Sequence, residues 1–204
     1  MDIDSETGEY LVSTARIAVE EIVIRQKRID VPSDAPQGLN TKAGTFVTLK
    51  YNNGIIKELR GCIGIPLPEQ SLISSLLESA ISAATIDPRF LPVKPEELKK
   101  ITLEISILTP PELIDSENRR KLSNQISIGT HGLIVNWSMG SGLLLPQVAI
   151  DEGWDAREFL SQACLKAGGM PDLWLLPDTR IQIFEAIVFE ELEPYGKIVR
   201  RSVV

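Results

Sequence analysis

The chain has 204 residues and 43% hydrophobic content, enough for one large domain or two small ones with a proper core. Its formal net charge of −7 argues against a general nucleic-acid binder, because phosphate binding needs clustered Lys and Arg. The first residues lack the pattern of a signal peptide, and no apolar stretch approaches the ~20 residues that span a bilayer. Two cysteines without an export signal indicate reduced thiols, so we expect a cytoplasmic protein without membrane association.

The first half of the chain predicts two helices around a β-hairpin. Apolar residues repeat at helical spacing over residues 10–28 and 69–85. Residues 45–51 and 55–65 are β-type runs on either side of Asn53-Gly54, the strongest short-range hairpin signal. These two runs should therefore pair antiparallel. The side chains expected to face the core are Val47, Leu49, Leu59 and Ile63.

The second half predicts shorter elements around two clear strands. Residues 101–108 alternate apolar with polar side chains, which gives one apolar and one polar face. Residues 181–189 are apolar on nearly both faces and predict a central strand, while residues 155–167 predict an amphipathic helix ended by Gly168. The remaining predictions are short helices at 96–100 and 116–125, strands at 126–128, 133–137 and 143–148, and a turn at 140–142.

Helices and strands are mixed without a regular βαβ alternation, which indicates an α+β fold with a mostly antiparallel sheet flanked by helices. No internal repeat or linker is evident. We therefore expect residues 1–204 to form a single domain with a core over about 10–192. This compact unit has room for two subdomains.

The stretch Leu59-Arg60-Gly61-Cys62-Ile63-Gly64 is the most unusual part of the sequence. Alternate residues of a strand face opposite sides, so Arg60 and Cys62 are expected side by side. Gly61 and Gly64 remove bulk beside them. A cation next to a cysteine favours the thiolate, the nucleophilic form. The alternative is structural: a buried Cys beside a salt-bridged Arg at a bulge.

Several motifs in a fixed order give the chain a family resemblance. They occupy residues 44–49, 59–64, 87–90, 131–133, 141–149, 153–154 and 163–168. With them the chain resembles the AMMECR-type domain family, named after Alport syndrome, mental retardation, midface hypoplasia and elliptocytosis. The resemblance covers roughly residues 10–192, and Gly169 departs from it where Leu is expected.

The resemblance implies an intracellular α+β domain whose molecular function is unsettled, and in which the stretch 59–64 is a proposed functional site. In prokaryotes such domains are often encoded near a Memo-type protein and a radical-SAM protein. The resemblance therefore implies a Memo-type or radical-SAM protein as partner.

We expect a small-molecule-binding or enzymatic cleft around this stretch, with Arg60 binding an anionic group and Cys62 as a thiol nucleophile or redox group. His131, the only histidine, would join them as the third catalytic residue. The alternative for His131 is a loop or packing role. Further ligand-binding candidates are Gly61, Gly64, Ser141, Gln147 and Trp154.

Other classes of function have less support in the sequence. One His and two distant Cys form no zinc site without carboxylates, and no phosphate-loop signature is present. The cofactor is thus unknown, with no tightly bound metal or nucleotide expected. The competing hypothesis is a non-catalytic protein-interaction or accessory module in which the stretch 59–64 is a structural strand end. The sequence leaves open whether the protein is an enzyme.

Overall fold

The computed structural model describes residues 3–201. Its α-helices are α1 (Ser5–Arg25), α2 (Leu72–Thr85), α3 (Pro146–Asp151) and α4 (Ala156–Lys166). Its strands are β1 (Gly44–Asn52), β2 (Lys57–Ile65), β3 (Ile101–Leu108), β4 (Glu112–Ile114), β5 (His131–Trp137), β6 (Gly140–Leu144), β7 (Arg180–Glu191) and β8 (Ile198–Arg201). Short 3-10 segments lie at Gln37–Asn40, Pro95–Lys100, Arg119–Gln125 and Leu173–Leu175. The strands pair antiparallel and the fold is α+β, as predicted.

The chain divides into two compact units. Unit 1 comprises residues 3–108 and 187–201, and unit 2 comprises residues 109–186. Strand β7 contributes residues to both. Two subdomains were within the expected architecture, while a single domain over residues 1–204 stays a prediction.

The two long helices of unit 1 begin where a side chain caps their first turn. Asp4 accepts a hydrogen bond from the Thr7 main-chain N–H at 2.8 Å and starts α1, five residues earlier than the apolar periodicity predicts. The helix ends at Arg25, before the predicted end, because Gln26 adopts a left-handed conformation. Ser71 caps α2 through the Ser74 N–H at 3.3 Å.

The predicted hairpin of β1 and β2 is confirmed. The connection comprises residues 53–56, so Ile55 and Ile56 belong to the turn and not to the strand. Val47 and Leu49 are fully buried and Ile63 packs against the core, as expected, but Leu59 is 44% exposed.

A β-bulge explains the wrong orientation of Leu59. Leu49 pairs with Gly61 and Lys50 pairs with Leu59, so Arg60 is an extra residue without a partner on β1. The insertion reverses the alternation of side chains on the far side of the bulge. Leu59 therefore shares a face with Lys50 and not with the core.

Strand β3 is buried on both faces. Its apolar side chains enter the core of unit 1, as predicted, but the alternating Thr102, Glu104 and Ser106 are also covered. Glu104 is paired with Lys50 at 2.6 Å and with Arg201 at 3.1 Å. The polar face of β3 is thus not a solvent face.

In unit 2, β7 pairs with β4 and β5, and β5 pairs with β6. The predicted turn at 140–142 is wrong, since these residues belong to β6 and the hairpin turns at residues 138–139. A Cβ on Gly142 would lie 2.5 Å from the Ala167 main-chain N, so this glycine lets the end of α4 pack closely on the strand. The predicted strand over 143–148 ends at Leu144, and α3 follows.

Several short elements also differ from the predictions. Residues 126–128 form a loop and turn, not a strand, and the predicted helix at 116–125 is a 3-10 segment over Arg119–Gln125. The short strands β4 and β8 were not predicted. Such segments have too few residues for their periodicity to be recognised.

Candidate functional site

Cys62 lies in β2, half-buried and opposite Thr48 of β1. The Thr48 hydroxyl donates a hydrogen bond to the Cys62 Sγ at 3.2 Å. Next to it, a Cβ on Gly61 would lie 2.2 Å from the Ala83 carbonyl oxygen of α2. Gly61 therefore allows β2 to approach α2, and its lack of a side chain serves packing.

The segment after α2 meets β2 at Cys62. The carboxylate of Asp87 accepts a hydrogen bond from the Cys62 N–H at 2.8 Å, and Arg89 Nη2 donates to the Cys62 carbonyl oxygen at 3.0 Å. Asp87 and Arg89 are themselves paired through Arg89 Nε and Nη2, at 2.9 and 2.7 Å. We call Thr48, Cys62, Asp87 and Arg89 the Cys62 site.

Asp87 remains ionised despite its burial. Its hydrogen bond with the Arg89 side chain lowers the pKa of Asp87 to about 2, with further help from the main-chain N–H groups of Cys62 and Arg89. Burial acts in the opposite direction and is outweighed. A buried carboxylate with this many donors is a fixed negative charge at neutral pH.

Arg89 is a cation bonded to the main chain of Cys62. The hydrogen bond with Asp87 is the largest cause of the raised pKa of Arg89, and the electrostatic interaction with the Cys62 side chain is a smaller one. The Arg89 side chain is 52% exposed. The Cys62 site is therefore accessible to solvent on the side where Arg89 lies.

Arg60 belongs to a neighbouring ion pair. Its Nε and Nη2 donate to the two carboxylate oxygens of Glu97 at 2.7 and 3.0 Å, and Arg60 is the largest cause of the lowered pKa of Glu97. Arg60 and Arg89 lie 5.8 and 5.6 Å from the centre of the Phe90 ring. Because Arg60 is the bulge residue, the alternation that was expected to place it beside Cys62 does not hold.

His131 is in unit 2, at the start of β5. Its Nδ1 accepts a hydrogen bond from the Ser127 N–H at 3.2 Å, and its own main-chain N–H donates to the Ser127 carbonyl at 2.9 Å. These contacts hold the turn before β5, which supports the loop role. A meeting of His131 with Cys62 stays a prediction.

The other ligand-binding candidates have different surroundings. The Phe46 ring occupies the space beside Gly64, where a Cβ would lie 2.3 Å from the ring. In unit 2, Ser141 is exposed on β6, Gln147 is buried in α3, and Trp154 packs against the core. Their role in ligand binding stays a prediction.

The second cysteine provides an internal comparison. Cys164 is fully buried in α4, and burial raises the pKa of its thiol to about 11.

Between residues 3 and 201, no three His, Cys, Asp or Glu side chains are grouped so that they could hold a metal ion. Over the same residues, no helix has the length and apolar character needed to cross a membrane.

The sequence interpretation did not name Thr48, Asp87 or Arg89 as site residues, and all three bond Cys62 in the structure; the role expected for Arg60 stays a prediction. The signals were present: Thr48 is the cross-strand partner of Cys62 once the hairpin register is known, and Asp87 and Arg89 belong to one of the family motifs. What was missing was the tertiary contact between two stretches 25 residues apart.

Comparison with known proteins gives a consistent set of relatives. The AMMECR1 family model matches residues 12–189. Protein TK0174 of Thermococcus kodakarensis is 49% identical over 99% of this chain and 98% of its own, and protein MK0488 of Methanopyrus kandleri is 49% identical over 97% and 94%. The crystal structure of an uncharacterized protein, PH0010 from Pyrococcus horikoshii, superposes with a TM-score of 0.94 at 46% identity, covering 98% of both chains.

Proposed function

The chain belongs to the AMMECR1 family, and we propose that its Cys62 site binds a small anionic molecule and uses Cys62 as a nucleophilic thiol. The observation that supports this is a hydroxyl donor at the sulfur together with a guanidinium bonded to the same residue. The Thr48 hydroxyl donates to the Sγ at 3.2 Å, and Arg89 Nη2 donates to the Cys62 main-chain carbonyl at 3.0 Å, close enough for its charge to act on the side chain. Both stabilise the sulfur more as an anion than as a thiol.

The proposed chemistry is a displacement at an electrophilic carbon of the bound molecule. The thiol proton passes to solvent and the thiolate forms an S–C bond, while the leaving group departs with the electrons of its bond to carbon. Arg89 and Thr48 stabilise the thiolate before attack. A water-exposed guanidinium next to the nucleophile also favours a substrate with a carboxylate or phosphate near the reacting carbon.

Two arginines are available for the anionic group. Arg89 has 52% of its side chain exposed, whereas Arg60 has 15% and is bound by Glu97 through two hydrogen bonds. An incoming anion would therefore meet Arg89 first and share Arg60 with Glu97. Arg60, which lies over the Phe90 ring, is the second cation of the proposed site.

A second candidate is a non-catalytic interaction module, and a different observation favours it. Asp87 and Arg89 bond both the N–H and the carbonyl of Cys62 on the outer side of β2, as a neighbouring strand would do. In this function the contacts only close the sheet edge, and the protein would serve a partner such as a Memo-type or radical-SAM protein. Both candidates include a cytoplasmic location as part of the proposal.

The charge of an alkylating reagent distinguishes the two candidates. We would measure the modification of Cys62 by anionic iodoacetate and neutral iodoacetamide in the native chain, with each cysteine mapped by mass spectrometry. The thiol function predicts fast modification of Cys62 and slow modification of Cys164. It also predicts that the ratio of the iodoacetate rate to the iodoacetamide rate at Cys62 falls in Arg89→Gln. Arg25→Gln, on the exposed end of α1, is the matched control and should keep the preference.

The interaction module predicts another result. Cys62 would stay unmodified in the native chain with either reagent, and Cys62→Ser would melt at a clearly lower temperature than the wild type. That combination would reject the thiol function.

A further inference from the structure

We infer that Asp87 is the positioning residue of the Cys62 site: it fixes Arg89 against Cys62 and thereby controls how readily the thiol ionises. The inference rests on the proposed thiol function and adds to it the residue that makes Arg89 effective. Asp87 acts through the guanidinium that it holds.

The hydrogen bonds around Asp87 form a closed ring. Oδ2 accepts from the Cys62 N–H at 2.8 Å and from Arg89 Nη2 at 2.7 Å, and the same Nη2 donates to the Cys62 carbonyl at 3.0 Å. Oδ1 accepts from Arg89 Nε at 2.9 Å and from the Arg89 N–H at 3.1 Å. One carboxylate thus ties the main chain of Cys62 to both the main chain and the side chain of Arg89.

The local sequence favours this arrangement. Pro88 has a fixed φ and disfavours a helical conformation for the residue before it, so the chain turns out of α2 at Asp87. The Asp87 carboxylate can then accept a hydrogen bond from the main-chain N–H of Arg89, two residues later in the chain. Pro88 therefore helps to aim Asp87 at Arg89.

Burial separates the roles of the two partners. Only 2% of the Asp87 side chain is exposed, against 52% for Arg89. A half-exposed arginine without a fixed partner samples many rotamers. The buried carboxylate is the group that selects the one rotamer in which Nη2 reaches Cys62.

The neighbouring pair of Arg60 and Glu97 provides a matched comparison. It has the same two-bond geometry between a guanidinium and a carboxylate, at 2.7 and 3.0 Å. Glu97 accepts its main-chain hydrogen bond from Lys94, whereas Asp87 accepts one from Cys62. Releasing Arg60 by Glu97→Gln therefore perturbs a similar ion pair without removing the Asp87 ring.

Other charged groups near the site have ion-pair partners that Asp87→Asn and Arg89→Gln do not remove. On the Thr48 side of the sheet, Lys50 is paired with Glu104 at 2.6 Å. On β2 itself, Arg60 is paired with Glu97. Asp87 is bonded to both Cys62 and Arg89, and Asp87→Asn also removes a negative charge beside Cys62, which by itself favours the thiolate. This direct effect is the same with and without Arg89, so comparing Arg89→Gln within each background isolates the part that acts through Arg89.

A double-mutant cycle tests the inference. The rate of Cys62 alkylation by iodoacetamide is measured against pH in the wild type, Arg89→Gln, Asp87→Asn and the double variant. We expect Arg89→Gln to slow the reaction at neutral pH by about tenfold in the wild-type background, since it removes an adjacent opposite charge. In the Asp87→Asn background the same change should slow it by less than about twofold, because Arg89 is no longer held. Glu97→Gln should preserve the full effect of Arg89→Gln.

One further measurement and one substitute variant support the cycle. Hydrogen exchange at the Cys62 amide should accelerate in Asp87→Asn and not in Glu97→Gln. If Asp87→Asn fails to fold, Asp87→Glu takes its place in the cycle. Its carboxylate is displaced by one methylene, and it should also reduce the effect of Arg89→Gln.

The outcomes separate the inference from the proposed function. If Cys62 reacts and Arg89→Gln slows it equally in both backgrounds, or not at all, Asp87 is not the positioning residue and the thiol function survives. Unchanged amide exchange in Asp87→Asn also overturns the inference. If native Cys62 fails to react in every variant, the thiol function and the inference fail together.

Discussion

The main-chain N–H of Cys62 donates to the buried carboxylate of Asp87 at 2.8 Å, which joins the end of the β-hairpin to the segment after α2. The contact brings Arg89 to the carbonyl of the same cysteine. Two motifs that are separate in the sequence thus form one site. The stability of this site and the reactivity of its thiol should therefore change together.

The contribution of Asp87 to stability should depend on pH in the acid range. Its folded pKa is about 2, lowered from 3.8, so the ionised carboxylate stabilises the fold above about pH 4 and loses this effect as the pH falls through about 2. Asp87→Asn should thus cost roughly 2 kcal/mol at pH 6, and the difference from wild type should shrink towards pH 2. Urea unfolding at several pH values measures this. A cost that is equal at pH 6 and pH 2 would contradict it, and exposed Asp34→Asn serves as the control.

Gly61 should tolerate no side chain. A Cβ there would lie 2.2 Å from the Ala83 carbonyl oxygen, which is main chain and cannot rotate away. We expect Gly61→Ala to lower the free energy of unfolding by about 1–3 kcal/mol or more. Gly38→Ala is the matched control, because no atom lies within 4 Å of its Cβ position. Equal thermal melts for the two variants would show that α2 does not pack on β2 as described.

The buried ion pair of Arg16 and Glu191 should be costly to break. Arg16 Nε donates to Glu191 at 3.0 Å, and Nη2 donates to the Ile101 carbonyl at 2.8 Å. Arg16→Ala leaves a buried carboxylate without its cation, at a cost of about 3–5 kcal/mol. Arg25→Ala breaks the exposed pair with Glu21 and should cost at most about 0.5 kcal/mol. Chemical denaturation of both variants gives the comparison, and similar costs would refute it.

The two cysteines should respond differently to serine. Cys164 is fully buried in an apolar core, so Cys164→Ser should lose about 1–3 kcal/mol by burying a more polar hydroxyl there, even though the Trp174 N–H can still donate to it. Cys62 is half-buried with the Thr48 hydroxyl at hydrogen-bond distance, and Cys62→Ser should change stability by less than about 1 kcal/mol. Thermal melts of the two variants test this. A larger loss at Cys62 than at Cys164 would indicate a purely structural role for Cys62.

Local signals predicted much of the fold. Asn53-Gly54 between two β-type runs specified the hairpin, and strict alternation specified β3, because both depend on near neighbours in the sequence. The bulge at Arg60 was not predictable in this way. It is a shift in the pairing register between β1 and β2, which the alternation of side chains in one strand does not encode.

The helix α3 illustrates a second limit. Residues 143–148 are mostly apolar, and a short apolar run fits a strand or a helix equally well. Pro146 decides the outcome, because it ends β6 and occupies the first turn of α3. The candidate site shows the same limit. The sequence indicated Cys62, but Asp87 and Arg89 lie on the segment after α2, and the position of that segment next to Cys62 depends on the tertiary fold.

The most direct test of a functional thiol compares Cys62 with itself. The measurement is its alkylation rate by iodoacetamide at neutral pH in the native chain, divided by the rate for the same cysteine in the urea-unfolded chain. Stabilisation of the thiolate by Arg89 and Thr48 predicts a ratio above one at Cys62, while buried Cys164 gives a ratio far below one. A ratio far below one at both cysteines would contradict a functional role for the Cys62 thiol.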